Sequence, residues 1–207
     1  RMGKESHNTL FNLIAPVYGL FYNKQKNRYR EVIGRFVPDW QQAGYTSILD
    51  VGCGTGALCS ALDEAGLTVT GIDPAQNMLS VAGRQTREQD IRFLQGNALE
   101  GLPFADKSFD LSIASYVAHG LQKSERKKLY SEMRRVTKGK VILYDYNQNR
   151  SPLTSFVEWL EHGDYFGFIK NPKGEMESCV TELEKCFSDV TYVNVDKRAA
   201  WYICTPR

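Results

Sequence analysis

Apolar runs rich in Val, Ile, Leu and Phe alternate along the chain with segments whose apolar residues recur at helical spacing. This alternation is typical of strands joined by helical crossovers, which build a parallel sheet covered by helices on both faces. The pattern predicts helices near 57–65, 75–87 and 122–136, and strands at 47–51, 67–72, 91–95, 109–115, 140–146, 190–195 and 199–204. The predicted fold class is therefore α/β, with a doubly wound, seven-stranded and mostly parallel sheet.

Both ends of the chain depart from this alternation. Only the three residues 196–198 separate the last two predicted strands. That connection is too short for a parallel crossover, so we predict an antiparallel C-terminal hairpin. Before the first strand, residues 6–36 predict one or two helices rich in aromatic residues, with Pro16 marking a break.

The stretch GCGTGA, residues 52–57, follows the first predicted strand and leads into a predicted helix. Glycines let the chain turn tightly and approach a ligand closely, and the free N–H groups of the helix then face that ligand. Asp73 ends the second predicted strand about 20 residues farther on, where a carboxylate can accept both hydroxyls of a ribose. The stretch GCGTGA also matches the dinucleotide-binding fingerprint G-x-G-x-x-G/A if Ala57 takes its last position. The pattern therefore predicts a ribose-bearing ligand without naming it.

Charge and cysteine content narrow the class of partner. The 26 Lys and Arg residues nearly balance 24 Asp and Glu, so the overall charge favours neither a nucleic acid nor a membrane. Five cysteines without C-x-x-C spacing favour neither a disulfide framework nor a zinc site, and we predict no metal. No signal peptide begins the 207-residue chain, and no apolar run approaches the roughly 20 residues of a membrane span. We expect one cytoplasmic domain that binds a small molecule, and no oligomeric state is predicted.

Four stretches together resemble the class I S-adenosylmethionine-dependent methyltransferases, in particular the small-molecule group that includes quinone-biosynthesis C-methyltransferases. They are LDVGCGTG, GIDPAQNML, FLQGNALEGLPFADKSFDLSIAS and the closing hairpin. The resemblance implies a Rossmann-like fold with S-adenosylmethionine as the cofactor at the glycine turn. It disfavours a dinucleotide oxidoreductase, because Asp50 beside the glycines would crowd a pyrophosphate.

The resemblance assigns contacts at the methionine end of the cofactor. Asp50 would help to hold the methionine ammonium, directly or through water, and Ser115 would offer its backbone carbonyl to the same group. Gly52, Cys53 and Gly54 would bring backbone beside the methionine and the ribose.

The resemblance also assigns contacts to adenosine. Asp73 would bind the ribose, and Met78 would pack against the adenine. This family commonly has Gly-Asp-Ala after the third strand, where this chain has Gly-Asn-Ala. An amide oxygen can still accept a hydrogen bond from the adenine amino group, so Asn97 and Ala98 remain predicted adenine contacts.

Two aromatic segments are candidates to enclose the ligands. By resemblance, residues 6–36 form a helical lid in which Tyr18 contacts the cofactor and Tyr22 the substrate, although a helix packed on the sheet explains both equally well. Residues 37–146 would form the cofactor-binding core, 150–172 a substrate lid, and 175–207 the last helix and hairpin. The substrate lid would supply an apolar, partly aromatic pocket from Phe156, Trp159, Tyr165, Phe166 and Phe168.

Methyl transfer is an in-line displacement, so the protein mainly aligns the two reactants and excludes water. His119 lies just past the fourth predicted strand, where an open sheet faces its ligand, and is the candidate catalytic base. A histidine that only shapes the pocket or caps the next helix is the alternative.

Two other functions remain open from the sequence. The chain could be an inactive cofactor-binding subunit that supports a partner, or it could methylate a nucleic acid. The basic segment 123–140 invites the second interpretation, but Glu125 and Glu132 interrupt it. The Asn/Asp-Pro-Pro-aromatic signature of many base methylators is also replaced by SYVA. We therefore expect a small, apolar or aromatic methyl acceptor.

Overall fold

The computed structural model describes residues 21–146, 187–197 and 199–206. Seven strands form one sheet in the order β3-β2-β1-β4-β5-β7-β6. The strands are β1 (Ser47–Val51), β2 (Thr68–Asp73), β3 (Arg92–Gln95), β4 (Phe109–Ser115), β5 (Thr137–Tyr146), β6 (Phe187–Asn194) and β7 (Ala199–Pro206). The helices are α1 (21–33 of the described residues), α2 (Val37–Gln42), α3 (Ala57–Glu64), α4 (Gln76–Gln85) and α5 (Lys123–Val136), with a short 3₁₀ helix at Ala118–Gly120.

Strand pairing confirms the predicted topology. β1 through β5 pair in parallel, and β7 pairs antiparallel with both β5 and β6. The carboxyl ends of β1, β2, β4 and β5 consequently lie along one edge of the sheet, which is where open α/β sheets bind ligands.

Two strands, β5 and β6, begin three residues before their predicted starts for a physical reason. β6 begins at Phe187 rather than 190, because it is the edge strand and its first half is mostly exposed, so no apolar alternation marks it. β5 begins at Thr137, directly after α5, where Thr137 Oγ1 donates to the carbonyl of Met133. Polar residues at the start of this strand hid it from the sequence pattern.

Apolar residues cover both faces of the sheet. Alternate residues of β1 point to opposite sides, so that Leu49 joins the cluster beneath α5 and Ile48 joins the one beneath α1 and α3. In α5, four residues at helical spacing bury one face, Leu129, Tyr130, Met133 and Val136. This arrangement confirms the doubly wound prediction.

Aromatic stacking fixes the N-terminal helices on the sheet. The rings of Phe36 and Trp201 stack with centroids 4.2 Å apart, and Trp40 lies parallel to Trp201 at 5.9 Å. Each such pair contributes about 0.5–1.5 kcal/mol beyond the buried area. α1 is also joined to α3, because Lys26 and Arg30 both pair with Glu64. These contacts hold α2 against the sheet and α1 against α3.

Several predicted residues lie outside the described part of the chain. They are Tyr18 in the N-terminal segment and the aromatic residues of the predicted substrate lid, Phe156, Trp159, Tyr165, Phe166 and Phe168. Most of the predicted last helix lies outside it as well.

Candidate functional site

The glycine turn joins β1 to α3 in a conformation that favours glycine. Gly52 and Gly54 have φ values of 74° and 53°, in the left-handed region. A Cβ atom on Gly52 would lie 2.6 Å from Cγ2 of Val117, whereas one on Gly54 would have no atom within 4 Å. Gly52 is therefore required by packing, and Gly54 leaves open space beside the turn.

Asp73 links the glycine turn to the end of β2. Its Oδ2 accepts from the backbone N–H of Gly54 at 2.9 Å, and its Oδ1 accepts from that of Ala75 at 2.8 Å. Each oxygen has a second lone pair, so the carboxylate can still accept hydroxyl groups. The carboxylate is thus held in a fixed orientation with acceptor capacity remaining.

Asp50 is a buried acid at the end of β1, with an exposed fraction of 1%. Its Oδ2 accepts from the Cys59 thiol at 3.2 Å, while its Oδ1 has no hydrogen-bond partner among the described residues. Burial raises the pKa of Asp50 to about 7, and the charge of Asp73 adds to the increase while the Cys59 bond opposes it. Burial also raises the pKa of Cys59, which keeps the proton that it donates. An unpaired carboxylate oxygen here favours a cationic or hydrogen-bond-donating ligand.

A cavity of about 150 Å³ opens between the glycine turn and α1. Asp50, the glycine turn and the end of β4 line one side, and Gln25 and Tyr29 of α1 line the other. The hydroxyls of Tyr29 and Ser115 lie 2.8 Å apart, which fixes α1 over the cavity. The full lining is Gln25, Tyr29, Asp50, Gly52, Cys53, Gly54, Thr55, Ala57, Leu58, Ser115 and Tyr116.

The cavity brings together the residues predicted for the methionine end and adds two that were missed. Gln25 and Tyr29 share one face of α1 at a spacing of four, but the surrounding sequence, NKQKNRYR, is polar and gives no ligand signal. Tyr22 does not line this cavity. Its buried side chain packs in the cluster that includes α3.

The residues predicted for adenine lie next to Asp73 at the ends of β2 and β3. Met78 on α4 is 38% exposed, which is unusual for a large apolar side chain, and Ala98 is buried. Asn97 Oδ1 accepts from the backbone N–H of Leu99 at 2.9 Å. That oxygen has one remaining lone pair for an adenine amino group.

His119 lies in the 3₁₀ helix and is held by an acid that the sequence did not indicate. Its Nδ1 lies 2.9 Å from Oδ1 of Asp145, and its backbone N–H donates to Oδ2 at 3.1 Å. Both residues are buried. Asp145 was missed because it comes from β5, although an acid within the apolar run VILYDY is a signal that could have found it.

Within the described residues, no helix has the length and apolar character needed to cross a membrane. The same part of the chain contains no group of three or more His, Cys, Asp or Glu side chains placed to hold a metal ion.

Comparison with known proteins is consistent with this geometry. The sequence profile of a methyltransferase domain matches residues 49–144. A demethylmenaquinone methyltransferase of Staphylococcus aureus (strain JH9) is 33% identical, covering 96% of this chain and 90% of that protein. An uncharacterized methyltransferase of Bacillus subtilis (strain 168) is 32% identical over 72% of this chain, which spans 59% of the relative's length.

A solved structure has the same fold. It is magnesium protoporphyrin IX methyltransferase from Synechocystis PCC 6803 with bound S-adenosylhomocysteine, which gives a TM-score of 0.61 at 15% identity, covering 87% of this chain and 84% of the other. The sheet order, the glycine turn and these similarities agree, and the chain belongs to the class I S-adenosylmethionine-dependent methyltransferases.

Proposed function

We propose that this protein transfers a methyl group from S-adenosylmethionine to a small, apolar or aromatic acceptor. The observation that carries the proposal is the buried Asp50 carboxylate, whose Oδ1 lacks a partner among the described residues beside the glycine-lined cavity. A buried acid in this state is costly unless a ligand pairs with it, and the ammonium of the cofactor is a suitable partner.

The residues present fit the cofactor along its length. Asp50 and the backbone carbonyl of Ser115 would hold the methionine ammonium, and Gly52, Cys53 and Gly54 would lie beside the methionine and ribose. Asp73 would accept the ribose hydroxyls with its remaining lone pairs. Met78, Asn97 and Ala98 would contact the adenine, for which the exposed Met78 side chain supplies apolar surface.

When bound, the cofactor supplies a methyl group on a positively charged sulfur. The protein's own part is to orient the acceptor in line with that group and to exclude water. α1 covers the cavity through the bond between Tyr29 and Ser115, which limits solvent access. For a phenol or an acidic carbon, His119 would take up the proton of the acceptor, a contribution of about a hundredfold or more.

The acceptor class is suggested by the Staphylococcus aureus relative, whose name describes methylation of a demethylmenaquinone. Reduced quinones and other phenols are therefore the first acceptors to test.

Calorimetry tests cofactor binding. S-adenosylhomocysteine should bind the wild type, and Asp50→Asn should weaken binding by about 10- to 100-fold, as expected for a charged hydrogen bond. Asp90→Asn is the matched control, because Asp90 is an exposed acid in the loop before β3. Equal affinity in the wild type and Asp50→Asn would contradict the proposed role of Asp50.

Turnover is tested with a panel that includes 1,4-naphthalenediol, catechol and an RNA oligonucleotide. Methylated product detected by mass spectrometry, together with S-adenosylhomocysteine, would support the proposal. Binding of the cofactor without product from any small acceptor would favour the inactive-subunit function, and methylation of the RNA alone would favour the nucleic-acid function.

A further inference from the structure

We propose that Asp145 is a positioning residue. It holds the His119 ring in the Nδ1–H tautomer, whose lone pair on Nε2 lets the imidazole act as a base. The inference rests on the proposed function, because the proton to be removed belongs to the methyl acceptor. It is carried by the geometry of two buried side chains at the carboxyl ends of β4 and β5.

One carboxylate makes two bonds to the same histidine. Asp145 Oδ1 lies 2.9 Å from Nδ1 of His119, and Oδ2 accepts from the backbone N–H of His119 at 3.1 Å. An ionised carboxylate accepts hydrogen bonds only, so the neutral imidazole must carry its proton on Nδ1. In that tautomer the lone pair of the ring is on Nε2.

The dyad lies next to the cofactor cavity. Ser115 and Tyr116 line the cavity, and the ring centroid of Tyr116 is 6.5 Å from that of His119. Tyr116 has a φ of 57°, a strained value for a residue with a bulky side chain. The chain therefore turns sharply after β4. As a result, the Tyr116 ring lies beside the His119 imidazole and also lines the cavity at the methionine end of the site.

Burying the Asp145 carboxylate and the His119 imidazole costs desolvation free energy. Asp145 is 1% exposed and His119 6% exposed. An acid in the apolar strand β5 could be replaced by an apolar residue if it served packing alone. The carboxylate instead stabilises positive charge on the imidazole, which strengthens His119 as a base.

Other titratable or charged groups surround the dyad. Tyr116 comes from the same segment as His119, and Arg126 of α5 donates to the carbonyl of Leu121. On β7, burial raises the pKa of Tyr202, and the charge of the nearby Asp145 carboxylate adds to the increase. A variant of Asp145 alone leaves these groups in place.

Asp145→Asn separates a catalytic arrangement from a structural one. Its amide oxygen can keep the bond to the backbone N–H of His119, so a purely structural cap survives. Its NH₂ group would face Nδ1 and donate to it, which moves the imidazole proton to Nε2. Asp145→Glu, which keeps the charge, is the conservative control.

The decisive measurement is ¹⁵N NMR of histidine side chains in the full chain with S-adenosylhomocysteine bound. The chain has only three histidines, and His119→Gln assigns the signal. We expect the Nδ1–H tautomer in the wild type. In Asp145→Asn we expect the Nε2–H tautomer and a lower His119 pKa, because the neighbouring negative charge is lost.

Kinetics with 1,4-naphthalenediol give the second readout. Asp145→Asn should lower kcat at least tenfold, at about unchanged cofactor affinity, and should shift the acid limb of the pH profile down by the same amount as the His119 pKa. Asp145→Glu should restore part of the rate.

The two proposals fail in different ways. An Nε2–H tautomer in the wild type, or unchanged titration of His119 in Asp145→Asn, would overturn the role of Asp145 even if the enzyme is active. Failure of the wild type to bind S-adenosylhomocysteine would overturn the proposed function. The wild-type measurement can overturn the role of Asp145 even if Asp145→Asn does not fold.

Discussion

Lowering the pH is expected to weaken cofactor binding, because the charge on Asp50 is lost within the physiological range. The pKa of this buried acid is raised to about 7, so below that pH its folded form is mostly neutral. Its unpartnered oxygen then no longer attracts the ammonium of the cofactor. Binding should therefore be coupled to release of a proton.

The magnitude follows from the fraction of Asp50 that is charged. For a pKa of about 7 this fraction is about three quarters at about pH 7.5 and about one tenth at about pH 6. The dissociation constant of S-adenosylhomocysteine should therefore rise about eightfold between these two conditions. Calorimetry in two buffers of different ionisation enthalpy measures both the affinity and the released proton.

Asp50→Asn supplies the control for this pH dependence. The variant carries no titratable group at that position, so its weaker binding should change little over the same interval. A wild-type dissociation constant that is equal at both pH values, or the same pH dependence in Asp50→Asn, would refute the assignment of the titration to Asp50.

Three further outcomes are expected from variants. Because the pKa of Asp50 rises from 3.8 to about 7 on folding, Asp50 should lower the stability of the free protein by about 4 kcal/mol as the pH rises through this window, measured by urea unfolding as the difference from Asp50→Asn. Gly52→Ala should destabilise the fold by about 1–3 kcal/mol more than Gly44→Ala, since both have a φ of 74° but only Gly52 meets Val117; equal losses would show that backbone strain alone acts. Tyr29→Phe should lower stability by about 1 kcal/mol through the lost bond to Ser115, and a thermal melt equal to wild type would contradict this.

The fold was predictable because its core strands are apolar runs separated by short connections that the sequence pattern identifies. β1 and β4 have the predicted bounds, since both are buried and lie at the centre of the sheet. β6 was predicted to start too late because an edge strand has no apolar face to mark its exposed half. Hydrophobic periodicity thus locates strands only where burial imposes it.

Residues of the candidate site were predictable only where a local sequence pattern indicates them. The glycine turn, Asp50 and Asp73 follow strands directly, so their position at one edge of the sheet follows from parallel topology. The roles of Gln25, Tyr29 and Asp145 depend on contacts between elements far apart in the chain. Asp145 and His119, for instance, are 26 positions apart and meet because β4 and β5 are neighbours. No local pattern contains such a contact.

Two of the buried acids, Asp50 and Asp145, differ in how their charges are compensated. Asp145 accepts two hydrogen bonds from one histidine, so its charge is paired within the chain. Asp50 accepts only a thiol hydrogen bond and leaves one oxygen unpaired among the described residues, at the wall of a cavity. Folding alone does not favour the second arrangement, because a neutral residue there would avoid the cost of desolvation. The unpaired oxygen of Asp50 is therefore the feature that supports the proposed pairing with a cationic ligand, whereas the charge of Asp145 is compensated without a ligand, as its proposed role in orienting His119 requires.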